Sequence, residues 1–279
     1  MHKLNVILLA LIFLVSCGTS EDNKAQKYLD AAIKSFQEGN YTKAKTEIDS
    51  IKLLHPKAFN TRKAGIRFML DIEQEEQTRG LMYLDSLEIA KIEELDAIKH
   101  KYLLEKNKEY QEIGYYIIPE QSIEKNLNRS YLRFQVSEKG IMSVTATYSG
   151  RKGLNLQTVK ASTTDQLFTE TPLSDNNFVS QNLGLTTEKS DFKRGKDGDL
   201  INFIIVNNDK NIQITYTGDS NHQFILTPTE KKAAKEVNKL AKILYTLTEI
   251  QKAREEAHLK IKFIESRKLI NDSIDKAQQ

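Results

Sequence analysis

The residues best able to do chemistry are few and scattered along the chain. The five histidines are His2, His55, His100, His222 and His258. No two of them stand two, three or four positions apart, and no His-Glu-x-x-His occurs, so no helix or strand turns a metal-binding pair onto one face. Cys17 is the only cysteine, which excludes an internal disulfide and a thiolate metal site. Gly195-Lys196-Asp197-Gly198-Asp199 brings glycines, a lysine and acids together. It lacks the Lys-Ser/Thr ending that cradles phosphate and the terminal acid of a calcium loop, so it reads as a turn. The acidic run Asp71-Ile72-Glu73-Gln74-Glu75-Glu76 lies in a helical pattern, where carboxylates ordinarily face water. No Gly-x-Ser-x-Gly elbow presents a nucleophile. The sequence thus predicts a protein that is not an enzyme, with no catalytic residue, no metal and no cofactor. An envelope hydrolase is the third-ranked reading.

Cys17 has a different kind of chemistry. The chain opens with Lys3 in a short polar start, then ten apolar residues from Val6 to Val15, then Ser16 and Cys17. That is the layout of a secretory leader. Ten helical residues rise about 15 Å, about half of a hydrocarbon core, so the stretch is too short to span. Leu14-Val15-Ser16-Cys17 resembles the lipobox of bacterial lipoproteins. The resemblance implies a signal peptide over 1–16, a diacylglycerol thioether on Cys17 and a fatty acyl chain such as palmitate on its amine. Two or more chains anchor stably where one does not, at about 0.8 kcal/mol per buried methylene. Gly18 stands where inner-membrane retention signals prefer Asp, which points to the outer membrane. Residues 17–23 form a lipidated tether. Its acids, Glu21 and Asp22, resemble the export signal of Bacteroidota-type lipoproteins and favour the cell surface over the periplasmic face. Asp49-Ser50-Ile51, Asp85-Ser86-Leu87 and Asp272-Ser273-Ile274 resemble the O-glycosylation site of the same group, making Ser50, Ser86 and Ser273 candidate modified residues.

The elements that must position these residues follow a helix, sheet, helix order. Over 24–57, Ala32, Phe36, Gly39, Tyr41, Ala44, Ile48 and Pro56 resemble the small, aromatic, turn and proline positions of one tetratricopeptide unit. In that family such helical hairpins bind peptides or protein partners. A long helical arm is predicted over 58–118, running to about Glu112, with Leu84, Leu87, Ile92, Leu95, Ile98 and Tyr102 as its apolar stripe. Thr227-Pro228-Thr229-Glu230 is a capping box that opens a final helix over 228–279. Leu240, Ile243, Leu247, Ile250, Arg254, Ala257, Ile261 and Ile264 recur on it at steps of three and four, a heptad seam. The simplest use of that seam is antiparallel packing on the first arm, as a two-helix stalk. Homodimerisation through it is the second use.

Between the arms, 119–227 reads as an antiparallel β domain of sandwich type, so the fold class is α+β. Predicted strands are Ser130–Ser137, Ile141–Tyr148, Leu154–Ala161, Leu200–Asn207, Ile212–Thr217 and Gln223–Leu226, with the polar stretch from Thr163 to Lys196 unassigned. Tyr131, Tyr148 and Tyr216 are the candidate binding residues of this domain, as a platform for a glycan. Trp is absent, which weakens that nutrient-capture reading. Lys and Arg number 41 against 38 Asp and Glu, a net charge of +3, which implies no nucleic-acid partner. The leading expectation is a lipid-anchored envelope protein that binds or scaffolds protein partners.

Overall fold

A computed structural model describes residues 21–278, and the leader and Cys17 lie outside the described residues. The fold is α+β. Among the described residues, helices are joined with two antiparallel sheets. The chain divides into two compact units. One holds the described residues up to Ser86 together with those from Lys252 on; the other is Leu87–Gln251.

The first unit is helical. Helix α1 covers 21–37, α2 Tyr41–Leu54 and α3 Phe59–Lys99; the last helix, Pro228–Gln278, is α5. α1 stops because Gly39 takes φ +77°, with Asn40 N–H donating to Ser35 O and Gly39 N–H to Phe36 O. That crossed pair closes a helix end and needs a residue without a Cβ penalty. Asn40 then caps α2, its Oδ1 accepting from Lys43 N at 3.1 Å. Ala32 and Ala44 are fully buried, letting the two helices approach, and Ile48 and Ile72 close the layer beneath them. Phe36 meets Phe68 of α3 edge-on at 5.4 Å. Arg79 lies over the Tyr41 ring at 5.3 Å.

Within this unit α3 and α5 run antiparallel. Lys63 and Arg67 pair with Asp275, Asp71 with Lys268, and Asp85 with Arg254, so one number falls as the other rises. Ala257 and Ile264 of the heptad seam are buried here, and the polar interruption at Arg254 is answered by Asp85. The flanking cations hold the Asp275 carboxyl below its usual range.

The second unit carries the sheets. The larger has strand order β1-β2-β3-β4-β8-β7: β1 is Leu103–Glu105, β2 Tyr115–Ile117, β3 Tyr131–Ser137, β4 Met142–Gly150, β7 Asn177–Asn182 and β8 Leu185–Lys193. The smaller has order β10-β9-β5-β6: β5 is Thr158–Thr163, β6 Phe168–Glu170, β9 Ile212–Thr217 and β10 Asn221–Ile225. One core unites both sheets. It joins Phe134 and Val144 of the larger, Val159 and Ile214 of the smaller, and Leu240 of α5. Ile243 and Ile250 of the seam are also buried, so a dimer through the heptads would have to open them.

Three expectations are corrected. Leu200–Asn207 is not a strand; Leu200–Val206 is helix α4. The Asp197 carboxylate accepts from Gly195 N and Ile201 N, which starts the helix. Leu200, Ile201 and Ile204 then bury one face of it at helical spacing. The first arm ends at Lys99 rather than near Glu112. Tyr102 turns into the core and its hydroxyl donates to Glu236 O at 2.9 Å, after which β1 and β2 pair. Ile92 of the predicted stripe is 44% exposed, and the stripe runs instead through Leu95 and Ile98. Finally, Leu154–Leu156 lies ahead of β5 and is held by a side chain, not a strand: Glu188 accepts from the N–H groups of Leu154, Asn155 and Leu156.

Capping of α5 follows the expected reciprocal geometry. Thr227 N donates to Glu230 Oε2 at 2.9 Å and Glu230 N to Thr227 Oγ1 at 3.2 Å. The other Glu230 oxygen accepts from Leu132 N of β3 at 2.9 Å, tying the helix start to the sheet.

Candidate functional site

Of the tyrosines proposed as a platform, Tyr148 and Tyr216 share a contact with His222, and the Tyr131 ring is not part of that group. Tyr216 is fully buried and its hydroxyl donates to Tyr131 O at 2.7 Å. Burial pushes the Tyr216 phenol well above its usual range and raises Tyr131 as well. Tyr131 is itself 3% exposed. Tyr148 is partly exposed, donates to Lys152 O and packs edge-on against His222 at 5.2 Å; burial lowers the His222 pKa. Tyr216 belongs to the core of the sheet unit, Arg129 covers the Tyr131 ring at 5.2 Å, and Tyr148 packs against the core beside His222, so the three rings do not form one open platform.

Ser50, Ser86 and Ser273 all lie on helices. Each hydroxyl donates to the carbonyl four residues earlier, Thr46 O, Met82 O and Leu269 O. Ser86 and Ser273 are exposed and Ser50 is half-buried. Among the described residues no group of three or more His, Cys, Asp or Glu could hold a metal, and no helix is long and apolar enough to cross a membrane.

One concavity lies in the helical unit, between α2, α3 and α5. It is a groove of about 490 Å³. Its floor is Ile48 and Ile51 of α2, Gly65, Ile66 and Met69 of α3, and Phe263 of α5. Gly65 has a packing reason to lack a side chain. A Cβ there would come within 3.3 Å of Ile48 Cγ2, so that Ile48 would have to give by a few tenths of an ångström, and 3.5 Å from Ile51 Cδ1, an ordinary contact. The apolar floor is open to water: Ile66 is 60% exposed and Phe263 63%. Beyond Arg62 and Ile66 it continues into a second depression with Phe59 and Ile274.

Five charged residues line the same groove: Asp49, Lys52, Arg62, Glu73 and Arg267. None of them makes an ion pair among the described residues. Arg62 donates instead to Pro56 O at 2.6 Å, and Arg267 lies 6.0 Å over the Phe263 ring. Neighbouring charges on the same helices, such as Lys45 with Glu76 and Lys268 with Asp71, are paired. The groove thus joins an exposed apolar floor to a rim of charges of both signs that are not committed to ion pairs.

Two sequence signals could have located this groove. Ile66-Arg67-Phe68-Met69-Leu70-Asp71-Ile72 is apolar nearly all round, as a helix that buries two faces must be. Phe68 and Ile72 serve the hairpin, Met69 lies against it and also lines the groove, and Ile66 lines the groove. Phe263 is an aromatic placed off the heptad seam, with Arg267 one turn later.

Comparison of the chain with protein-family models, with curated proteins and with solved structures finds no match.

Proposed function

We propose that this chain is an outer-membrane lipoprotein, anchored through Cys17, that works without catalysis as a binding or scaffold module for a protein partner. The observation that carries the binding half of the reading is the groove of the helical unit, with its exposed Ile66 and Phe263 and its unpaired rim. The partner it fits is an amphipathic segment whose apolar face covers Ile66, Met69 and Phe263, with carboxylates toward Arg62 and Arg267 and a cation toward Asp49 or Glu73. Docking of this kind draws its energy from a few buried apolar anchors, while the charges set register and exclude wrong partners. The tetratricopeptide-like hairpin supplies α2, one wall of the groove, in keeping with the peptide-binding use of such hairpins. The membrane half of the reading rests on the lipobox at Leu14 to Cys17.

The test compares partners recovered with the full chain from detergent-solubilised native envelope against those recovered with the double variant Ile66→Asp, Phe263→Asp. Both positions are more than half exposed, so the substitutions leave the helical core intact. Losing two central anchors is expected to weaken a partner about 10- to 100-fold, enough to remove it from the recovered set. Recovery of the same proteins in the same amounts would count against the groove as the docking site.

A further inference from the structure

Strand β7, Asn177–Asn182, is exposed at all six positions. Asn177 reaches back with its side chain to Glu188 and Ser190 of β8, and β7 is the outermost strand of the larger sheet. Its sequence, Asn-Phe-Val-Ser-Gln-Asn, carries no charge and no proline, and the chain is uncharged from Asn176 to Thr187. Natural sheets usually blunt such an edge by shortening it, charging it or covering it. This chain does so elsewhere. The opposite edge strand β1 and the edge strand β6 are three residues long and each ends in Glu. Where β2 stops short, the backbone of β3 is covered by side chains: Gln121 bonds Leu132 O and Phe134 N, and Glu230 takes Leu132 N. The remaining edge strand, β10, alternates exposed and half-buried positions and packs Phe224 on the core. On β7, Phe178 is 63% exposed and Val179 52%.

The hairpin corner adds a second observation. Leu183 and Gly184 join β7 to β8, and both have positive φ, +48° and +80°. A two-residue corner of this hand favours Asn-Gly, because a leucine in the left-handed region costs about 1–2 kcal/mol. Here that leucine is also 96% exposed. Strain and exposure at one apolar residue are both unfavourable in the isolated chain, and contact with another surface would relieve the second.

We propose that β7 is a self-association edge that pairs antiparallel with β7 of a second copy of this chain, extending the larger sheet across the two copies. The backbone chemistry fits an extended strand. Asn182 and Leu185 flank the two-residue corner, so alternation along the ladder turns the N–H and C=O of Asn177, Val179 and Gln181 away from β8. A second copy suits this edge because the strand is uncharged: two-fold pairing brings no like charges opposite one another. It also covers Phe178 and Val179 and sets Leu183 beside the segment that precedes Asn177 of the other copy. Six residues a side are few against the 20–30 of a standard interface, so the dimer is a weak one and is best trapped covalently.

The experiment uses the purified full chain in mild detergent with single cysteines at 177, 179 or 181 and a short bis-maleimide. The unsubstituted chain reports any link through Cys17. The control is Asp209→Cys, an exposed site on another part of the unit. The expected result is a covalent dimer several-fold above the control for at least Val179→Cys. It should fall to the control level when Gln181→Lys is added, which puts on the edge the kind of charge that natural sheets use to block pairing. Gln181→Pro, which removes an outward N–H while sparing the β8 ladder, should act likewise. Yields at 177, 179 and 181 no higher than at 209, or a dimer indifferent to Gln181→Lys, would overturn the proposal.

Discussion

Replacing Glu188 with alanine is expected to lower the unfolding free energy of the sheet unit by about 3 kcal/mol, roughly a 10 °C fall in Tm for a unit of this size. The carboxylate is 1% exposed, and its partners are four N–H donors. Oε1 accepts from Leu154 N and Asn155 N, and Oε2 from Leu156 N at 2.7 Å and Asn177 Nδ2 at 3.2 Å. Leu154 and Leu156 are themselves buried, so truncation strands backbone donors where water reaches them poorly. Burial alone would raise the Glu188 pKa, but the donors together outweigh it and the net shift is downward. A lowered folded pKa fixes the sign of the pH dependence. The contribution is complete above the unfolded value, about 4.3, and is lost as the pH falls toward the folded one. Urea titrations should therefore show Glu188→Gln clearly weaker than the wild type at pH 7, with the gap closing below about pH 4. A constant gap across that range would show that the ionised carboxylate is not what holds the loop.

Gly140→Ala is expected to cost about 3–5 kcal/mol, more than left-handed strain alone. Gly140 lies in the turn between β3 and β4 at φ +79°. Strain of that kind is worth about 1–2 kcal/mol. The larger part is space. A Cβ would fall 2.1 Å from Tyr245 N and 2.4 Å from Tyr245 Cα, both backbone atoms of α5. No rotamer change relieves a clash with a helix backbone, so the turn must lift away from α5, breaking the bond from Thr248 Oγ1 to Lys139 O as it goes. Gly184→Ala is the comparison, because φ there is +80° and nothing lies within 4 Å of the added carbon. Thermal unfolding should show a much larger loss at 140 than at 184. Equal losses would mean that backbone strain, not the approach of α5, makes the glycine necessary.

Both sites show where the fold was legible and where it was not. The seam from Leu240 to Ile264 is readable because periodic apolar burial is what the sequence encodes most directly, and Ile243, Ile250 and Ile264 lie where it places them. The Thr227–Glu230 cap was readable for the same local reason. Strand β8 was hidden because its inward positions are Thr186, Glu188 and Ser190 before Phe192. Polar residues pointing inward, satisfied by hydrogen bonds, erase the apolar alternation that marks a strand. Leu200–Val206 misled in the opposite way: seven residues with a single polar position fit a buried strand as well as a helix, and the deciding feature is the distant-looking Asp197 carboxylate on Ile201 N. Tyr131 and Tyr216 were visible as aromatics, but strand period alone does not say which face is covered. The groove escaped because its residues come from three helices. Its marks in the local sequence are the all-round apolar run from Ile66 to Ile72 and the off-seam aromatic Phe263.

The reading of the chain as a partner-binding lipoprotein stands or falls on the groove. The most direct test is photo-crosslinking in intact cells. A benzophenone amino acid replaces Phe263, and a second chain carries it at Tyr110, which is 82% exposed in the other unit. The account predicts a discrete protein adduct at 263 that disappears with Ile66→Asp and is absent at 110, its linked peptide apolar and flanked by charged residues. No adduct at 263, or the same adducts at 263 and 110, would contradict it.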